Sequence, residues 1–183
     1  IEVTALGMPR KPLFERLYRL LFFLDIMNVN RIVKILKHYD EVISFLYPMT
    51  IAAAMAKKKN KSLNYVYYDV GIASAQLFDS FLEKLYMKAF SFLTKLTIRN
   101  CDKAISISKY LSDILRTETG ISSQVKYVRI DTARFNKAVH QKYKKEIAAV
   151  IKKLKLKKPV LLYVGRISPH KGVHLLLDAF KLI

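Results

Sequence analysis

The chain has 183 residues, room for one domain or one and a half. A hydrophobic share of 52% is ample for a core and argues against intrinsic disorder. Thirty-three Lys and Arg against 14 Asp and Glu leave a formal charge of +19. That excess points to a polyanionic partner, an anionic membrane surface or a charged substrate, or else to a lysine-rich surface that reflects only the source organism.

In chain order, residues 12 to 38 alternate apolar and basic at helical spacing. Leu13, Leu17, Leu20, Leu21 and Leu24 form one stripe, and Ile32, Ile35 and Leu36 form another, with a break expected around Asn28 to Asn30. Helix 12 to 24 also mixes Arg10, Lys11, Arg16 and Arg19 with Phe14, Tyr18, Phe22 and Phe23, as interfacial helices do, although a core-packing helix has the same pattern. Glu41 to Phe45 reads as a short strand that ends before a Tyr47–Pro48 turn. Thr50 to Lys59 reads as an Ala-rich helix with lysines at its C-terminal end, where the dipole favours them.

Leu63 to Tyr68 is β-branched and aromatic and reads as the next strand, ended by Asp69-Val70-Gly71. Phe78 to Ile98 is a long amphipathic helical stretch. Lys103 to Ser108 is a strand, Lys109 to Glu118 a helix closed by Gly120, and Val125 to Ile130 a further strand. Strands alternating with helices imply βαβ units and a parallel sheet. Residues 137 to 158 carry nine lysines and one acid, Glu146, around Ile147, Val150, Ile151 and Leu154. They read as one exposed amphipathic helix.

The last stretch is PVLLYVGRISPHKGVHLLLDAFKLI. Val160 to Val164 has the pattern of a fully buried parallel strand. Gly165 breaks the run, Arg166 and Lys171 bracket a loop containing Ser168 and Pro169, and Gly172 allows a tight turn into a helix from Val173 to Leu182. A helix N-terminus with two cations beside it is an anion site in outline. An ordinary strand–loop–helix unit with a stray Arg and Lys fits the same physics.

The order of these residues is more specific. LLYVGRISPHKGVHLLLDAF closely resembles the signature of retaining nucleotide-sugar glycosyltransferases of the GT-B fold, the group that includes bacterial glycogen synthases and many mannosyltransferases. YDEVISFLYP, YVYYDVG, DKAISISKYLSDIL and VKYVRIDTARFNK resemble further family segments in the right order, together covering nearly all of residues 39 to 182. Arg129 stands where members usually carry Gly, so the turn there cannot rely on a positive φ.

The resemblance implies a Rossmann-like α/β sheet with flanking helices, the GT-B N-terminal domain, followed by the first strand and helix of a second Rossmann-like domain. The expected divisions are 1–136 for the acceptor-side domain, 137–158 for a Lys-rich linker and 159–183 for the start of the donor domain. A complete enzyme of this kind would be roughly twice as long, with domains of ~150 residues, so the sequence reads as a fragment that is inactive alone. In the family a pair of glutamates stands in the second domain, at positions later than those this sequence covers.

Several roles are implied for individual residues. Arg166 and Lys171, with Gly165 and Gly172, would hold the donor diphosphate. Asp69, at a strand end, would touch the acceptor hydroxyl or the reacting sugar, or else is a turn Asp. Ser106 and Ser108 would border the acceptor side, Ser108 equally as a helix cap.

The donor would be a nucleoside-diphosphate sugar and the acceptor a glycan or lipid-linked molecule. No cofactor and no obligatory metal is expected, because no Asp-any-Asp pair occurs and His38, His140, His170 and His174 lack ligand spacing. Cys101 is the only cysteine, so no internal disulfide forms, which fits a reducing compartment. With no secretory signal and no apolar span of membrane length visible, the expected location is cytoplasmic, either free or peripheral on the cytoplasmic membrane face. The alternatives are a basic membrane-surface or nucleic-acid-binding module, or an inactive GT-B relative. Against nucleic acid, the aromatics sit in apolar runs rather than interleaved with the cations.

Overall fold

The computed structural model describes residues 11–72, 74–134, 136–157, 159–168 and 171–182, without the side chains of residues 137 and 140. Arg10, Pro169 and His170, and the side chain of His140, therefore lie outside the described residues. The chain divides into two compact units, Ile1–Tyr127 and Val128–Ile183.

The first unit is an α/β layer built on four parallel strands in the order β1-β2-β3-β4: β1 (Glu41–Ser44), β2 (Asn64–Asp69), β3 (Lys103–Ser106) and β4 (Gln124–Val125). Helix α3 (Met49–Lys59) connects β1 to β2, α4 (Phe81–Ile98) connects β2 to β3, and α5 (Lys109–Thr119) connects β3 to β4. With strands added in one direction, right-handed crossovers put all three helices on one face.

The burial agrees. Val42, Tyr65, Tyr67 and Ala104 point to one side and are buried with Ala52, Ala53 and Ala56 of α3, Ile98 of α4 and Leu115 of α5. On the opposite side Val66 and Ile105 are also buried, whereas Ile43 and Phe45 stay half-exposed, and Phe45 packs on Tyr68 with ring centroids 5.3 Å apart. The alanines of α3 let its backbone approach the sheet closely. Thr50 and Thr97 extend the packing with a buried hydroxyl pair at 2.7 Å between α3 and α4. The Rossmann-like character of this layer is thus observed.

Before the sheet come α1 (Pro12–Leu20), a 3-10 turn (Phe22–Leu24) and α2 (Ile26–Leu36). The break expected at Asn28 to Asn30 falls earlier in the chain. Asp25 makes it. Its carboxylate accepts from the Asn28 backbone N–H at 3.0 Å, from Asn28 Nδ2 at 2.8 Å and from the Tyr18 hydroxyl at 2.6 Å, capping α2. These hydrogen bonds, led by that from Tyr18, hold its pKa below the ordinary 3.8. Asn28 and Asn30 are then ordinary residues inside the helix. Helix α1 buries none of its residues, whereas Phe22, Val29 and Val33 enter the core.

Two expected strands are corrected. Only Gln124 and Val125 are strand residues paired with β3; the Lys126 N–H makes a last bond to the Ser106 carbonyl at 2.9 Å, and Tyr127, Val128 and Ile130 beyond it are exposed. Val160 to Val164 is neither a strand nor buried, with Leu162 at 84% and Val164 at 85% exposure. An apolar β-branched run supplies side chains suited to a sheet, but a strand also requires a neighbouring ladder of N–H and C=O groups. The described residues of the second unit offer none. The single helix expected over 137 to 158 is two shorter ones, α6 (Lys137–Lys142) and α7 (Lys144–Lys153), separated at Tyr143, and residues 154 to 157 are not helical. The unit ends in α8 (Val173–Phe180).

Candidate functional site

Parallel strands place side chains of equal register side by side, and this brings two candidates together. Asp69 pairs with Ser106 across β2 and β3. Ser106 Oγ donates to Asp69 Oδ2 at 3.2 Å, and the Gly71 N–H donates to Oδ1 at 3.0 Å. The Gly71 contact is a short turn closed on the carboxylate, and it needs the φ of +82° that glycine adopts without strain.

Beyond Ser106 the hydroxyls continue: Ser106 Oγ lies 2.7 Å from Ser123 Oγ, and Ser123 Oγ lies 2.9 Å from Ser112 Oγ. Each hydroxyl carries one proton: Ser106 gives its proton to the Asp69 carboxylate, and Ser123 donates to Ser112. Ser112 and Ser123 were not among the sequence candidates. Only the fold brings α5 and the loop before β4 to the end of β3; no spacing signals it.

Asp69 is 6% exposed. Burial raises its pKa above the ordinary 3.8, and the hydrogen bonds from Gly71, Ser106 and Tyr67 offset part of that rise. The carboxylate lies at the wall of an open cleft of about 900 Å³ between α4 and α5. Ile72, Leu77, Phe92 and Leu111 make the cleft largely apolar. Lys95 and Glu118 pair at 2.9 Å across the two helices. The described strands run in one direction with no reversal, so this cleft is not the switch-point crevice in which open α/β sheets ordinarily bind ligands.

The raised pKa has a thermodynamic consequence. The folded chain holds the Asp69 proton more tightly than the unfolded chain. The resulting stability is fully present below pH 3.8 and is lost as pH rises through the raised value. Asp69→Asn, which keeps an acceptor for Gly71 and Ser106 without the charge, is therefore expected to be at least as stable as wild type at pH 7. That advantage should disappear in acid. Urea midpoints at the two pH values test this; a variant less stable at pH 7 by the same margin as in acid would show that ionised Asp69 carries no burial penalty.

Ser108 caps α5, its Oγ accepting from the Leu111 N–H at 3.2 Å, and this contact serves the fold rather than the cleft.

The remaining candidates lie in the second unit. Tyr163 folds back over Gly165 and its hydroxyl donates to the Arg166 carbonyl at 3.0 Å. A Cβ on Gly165 would stand 2.7 Å from that hydroxyl, so the close approach requires glycine or a moved Tyr163. The Lys171 N–H donates to the Ser168 carbonyl at 3.0 Å, closing the loop. Gly172, at φ +68°, starts α8, and no side chain caps that N-terminus. Arg166 and Lys171 are exposed, and neither forms an ion pair among the described residues. Ser168 Oγ is shielded from solvent and has no partner among them. Among the described residues the segment thus carries two cations without ion pairs, ahead of a helix N-terminus that no side chain caps.

No cluster of three His, Cys, Asp or Glu side chains suited to a metal ion occurs among the described residues. None of their helices is long and apolar enough to cross a membrane. No family model matches the chain, and no curated protein matches it.

Proposed function

We propose that this chain belongs to a GT-B-type glycosyltransferase that moves a sugar from a nucleoside-diphosphate donor to an acceptor hydroxyl, with retention of configuration. The observation that carries the reading is the loop from Gly165 to Gly172. It resembles in residue order the donor-diphosphate loop of that family, and its Arg166 and Lys171, without ion pairs among the described residues, precede a helix start with no side-chain cap. The parallel α/β layer with a buried carboxylate at a strand end is compatible with an acceptor-side domain.

The chemistry follows from charge. As the glycosidic bond breaks, the departing diphosphate gathers negative charge. Groups held at its oxygens then stabilise the transition state more than the ground state. Arg166 presents a fork of donors to two phosphate oxygens, Lys171 a point charge, and the first N–H groups of α8 the positive end of a dipole. Asp69 and Ser106 would orient the acceptor hydroxyl in the cleft.

Equilibrium dialysis of the natural protein carrying this sequence against UDP-, GDP- and ADP-sugars tests the donor site. Saturable binding of one of them, displaced by inorganic pyrophosphate, is expected. Binding that pyrophosphate leaves untouched, or no saturable binding of any, would remove the diphosphate assignment.

A further inference from the structure

Helix α1 lies with its apolar side outward. On the other sides Tyr18 packs against the core, Arg16 Nη1 reaches Glu83 Oε1 of α4 at 2.9 Å, and Arg19 pairs with Glu15 within the helix at 2.6 Å. Leu13, Phe14, Leu17 and Leu21 share the side turned away from Arg19, and all four are exposed, Leu13 at 74%. The strip continues through Leu24 to Met27, itself 85% exposed. A helix on a water-soluble surface ordinarily turns such a stripe to the core, and a contiguous exposed one marks an interaction surface.

The charge around the strip selects its occupant. From Lys11 to Lys37 the segment carries six cations and two carboxylates. Both carboxylates are engaged locally, Glu15 with Arg19 and Asp25 with Tyr18 and Asn28. Lys11, Arg31 and Lys34 are left exposed beside the apolar strip. A second copy would bring the same cations, and a formal charge of +19, against this face, which opposes self-association. A soluble polyanion would satisfy the cations and leave the leucines in water.

We propose that α1 and the turn after it are a docking surface for an anionic lipid bilayer, with the helix lying in the interface. Leu13, Phe14, Leu17 and Leu21 enter the acyl boundary while Lys11, Arg31 and Lys34 meet lipid phosphates. The inference rests on which side of α1 is exposed and stands whether or not the chain transfers sugars.

Sedimentation with sucrose-loaded vesicles tests it. Wild type is expected to pellet at low salt with equimolar phosphatidylglycerol and phosphatidylcholine, and to stay in the supernatant with phosphatidylcholine alone. Leu13→Ser/Leu17→Ser should bind the mixed vesicles at least about tenfold more weakly, with unchanged circular dichroism because both side chains are already exposed. Lys11→Glu/Arg31→Glu should weaken binding by a similar factor through charge.

Wild type left in the supernatant with the mixed vesicles would overturn the proposal. Undiminished binding by either double variant would also overturn it. A concentration-dependent dimer in light scattering that the leucine variant abolishes, without vesicle binding, would assign the strip to a second copy instead.

Discussion

In the full-length glycosyltransferase proposed above, Arg166→Ala and Lys171→Ala are each expected to lower turnover by roughly 10²–10³-fold, or ~2.7–4 kcal/mol of transition-state stabilisation, the scale of one preorganised charge-stabilising donor. Both side chains are exposed and lack ion-pair partners among the described residues, so removing them disturbs no described packing. Unfolding midpoints should therefore stay at the wild-type value, which separates a lost contact to donor from a lost fold.

Lys171→Arg discriminates further. A guanidinium restores the charge but not the compact geometry of the ammonium, so partial rescue is expected. Steady-state kinetics with the donor identified by dialysis supplies the measurement. Wild-type turnover in either alanine variant would leave Arg166 and Lys171 as ordinary surface cations and the loop as a plain strand–helix connection.

The second large effect is on stability. Phe22→Ala is expected to cost about 3–5 kcal/mol, the range for emptying a buried aromatic site. Phe22 is 1% exposed in the cluster with Val29, Val33 and the α3 alanines, and Tyr18 meets its ring edge-on at 5.8 Å. Against a total stability of ~5–15 kcal/mol for a typical domain, such a loss brings the first unit close to unfolding. Leu17→Ala, on the same stretch but exposed, should stay within about 0.5 kcal/mol of wild type. Urea titrations at constant slope make the comparison. Equal midpoints for the two variants would contradict the placement of Phe22 in the core.

That contrast shows how far periodicity reached. The leucine stripe of α1 and the phenylalanine that follows it are equally apolar as sequence. Amphipathic spacing identifies two faces but not the one that meets the protein. Here the polar face is held by Glu83, 67 residues further along, and no local pattern encodes that pairing. The helix break is similar. Two asparagines look like the stronger interruption, yet Asp25 wins because it can accept from three donors at once.

The candidate site divides in the same way. Asp69, Ser106, Gly71 and Gly172 were legible because strand ends and glycines punctuate the chain. The extension through Ser123 and Ser112 was not, since hydroxyls carry no spacing signal until α5 and the loop before β4 come to the end of β3.

What the residues determined alone is the local grammar: alternating β-branched runs and amphipathic helices that yield a parallel sheet, helix α5 closed by Gly120 at φ +77°, and the loop bracketed by Arg166 and Lys171. Tertiary structure alone decided which apolar segments became strands and which face of α1 stayed in water. The reason is physical. Side-chain pattern is local, whereas a strand's hydrogen bonds and a helix's buried face both depend on partners distant in the chain. Val42 to Ser44 found such partners in β2; Val160 to Val164, equally suited by composition, found none among the described residues.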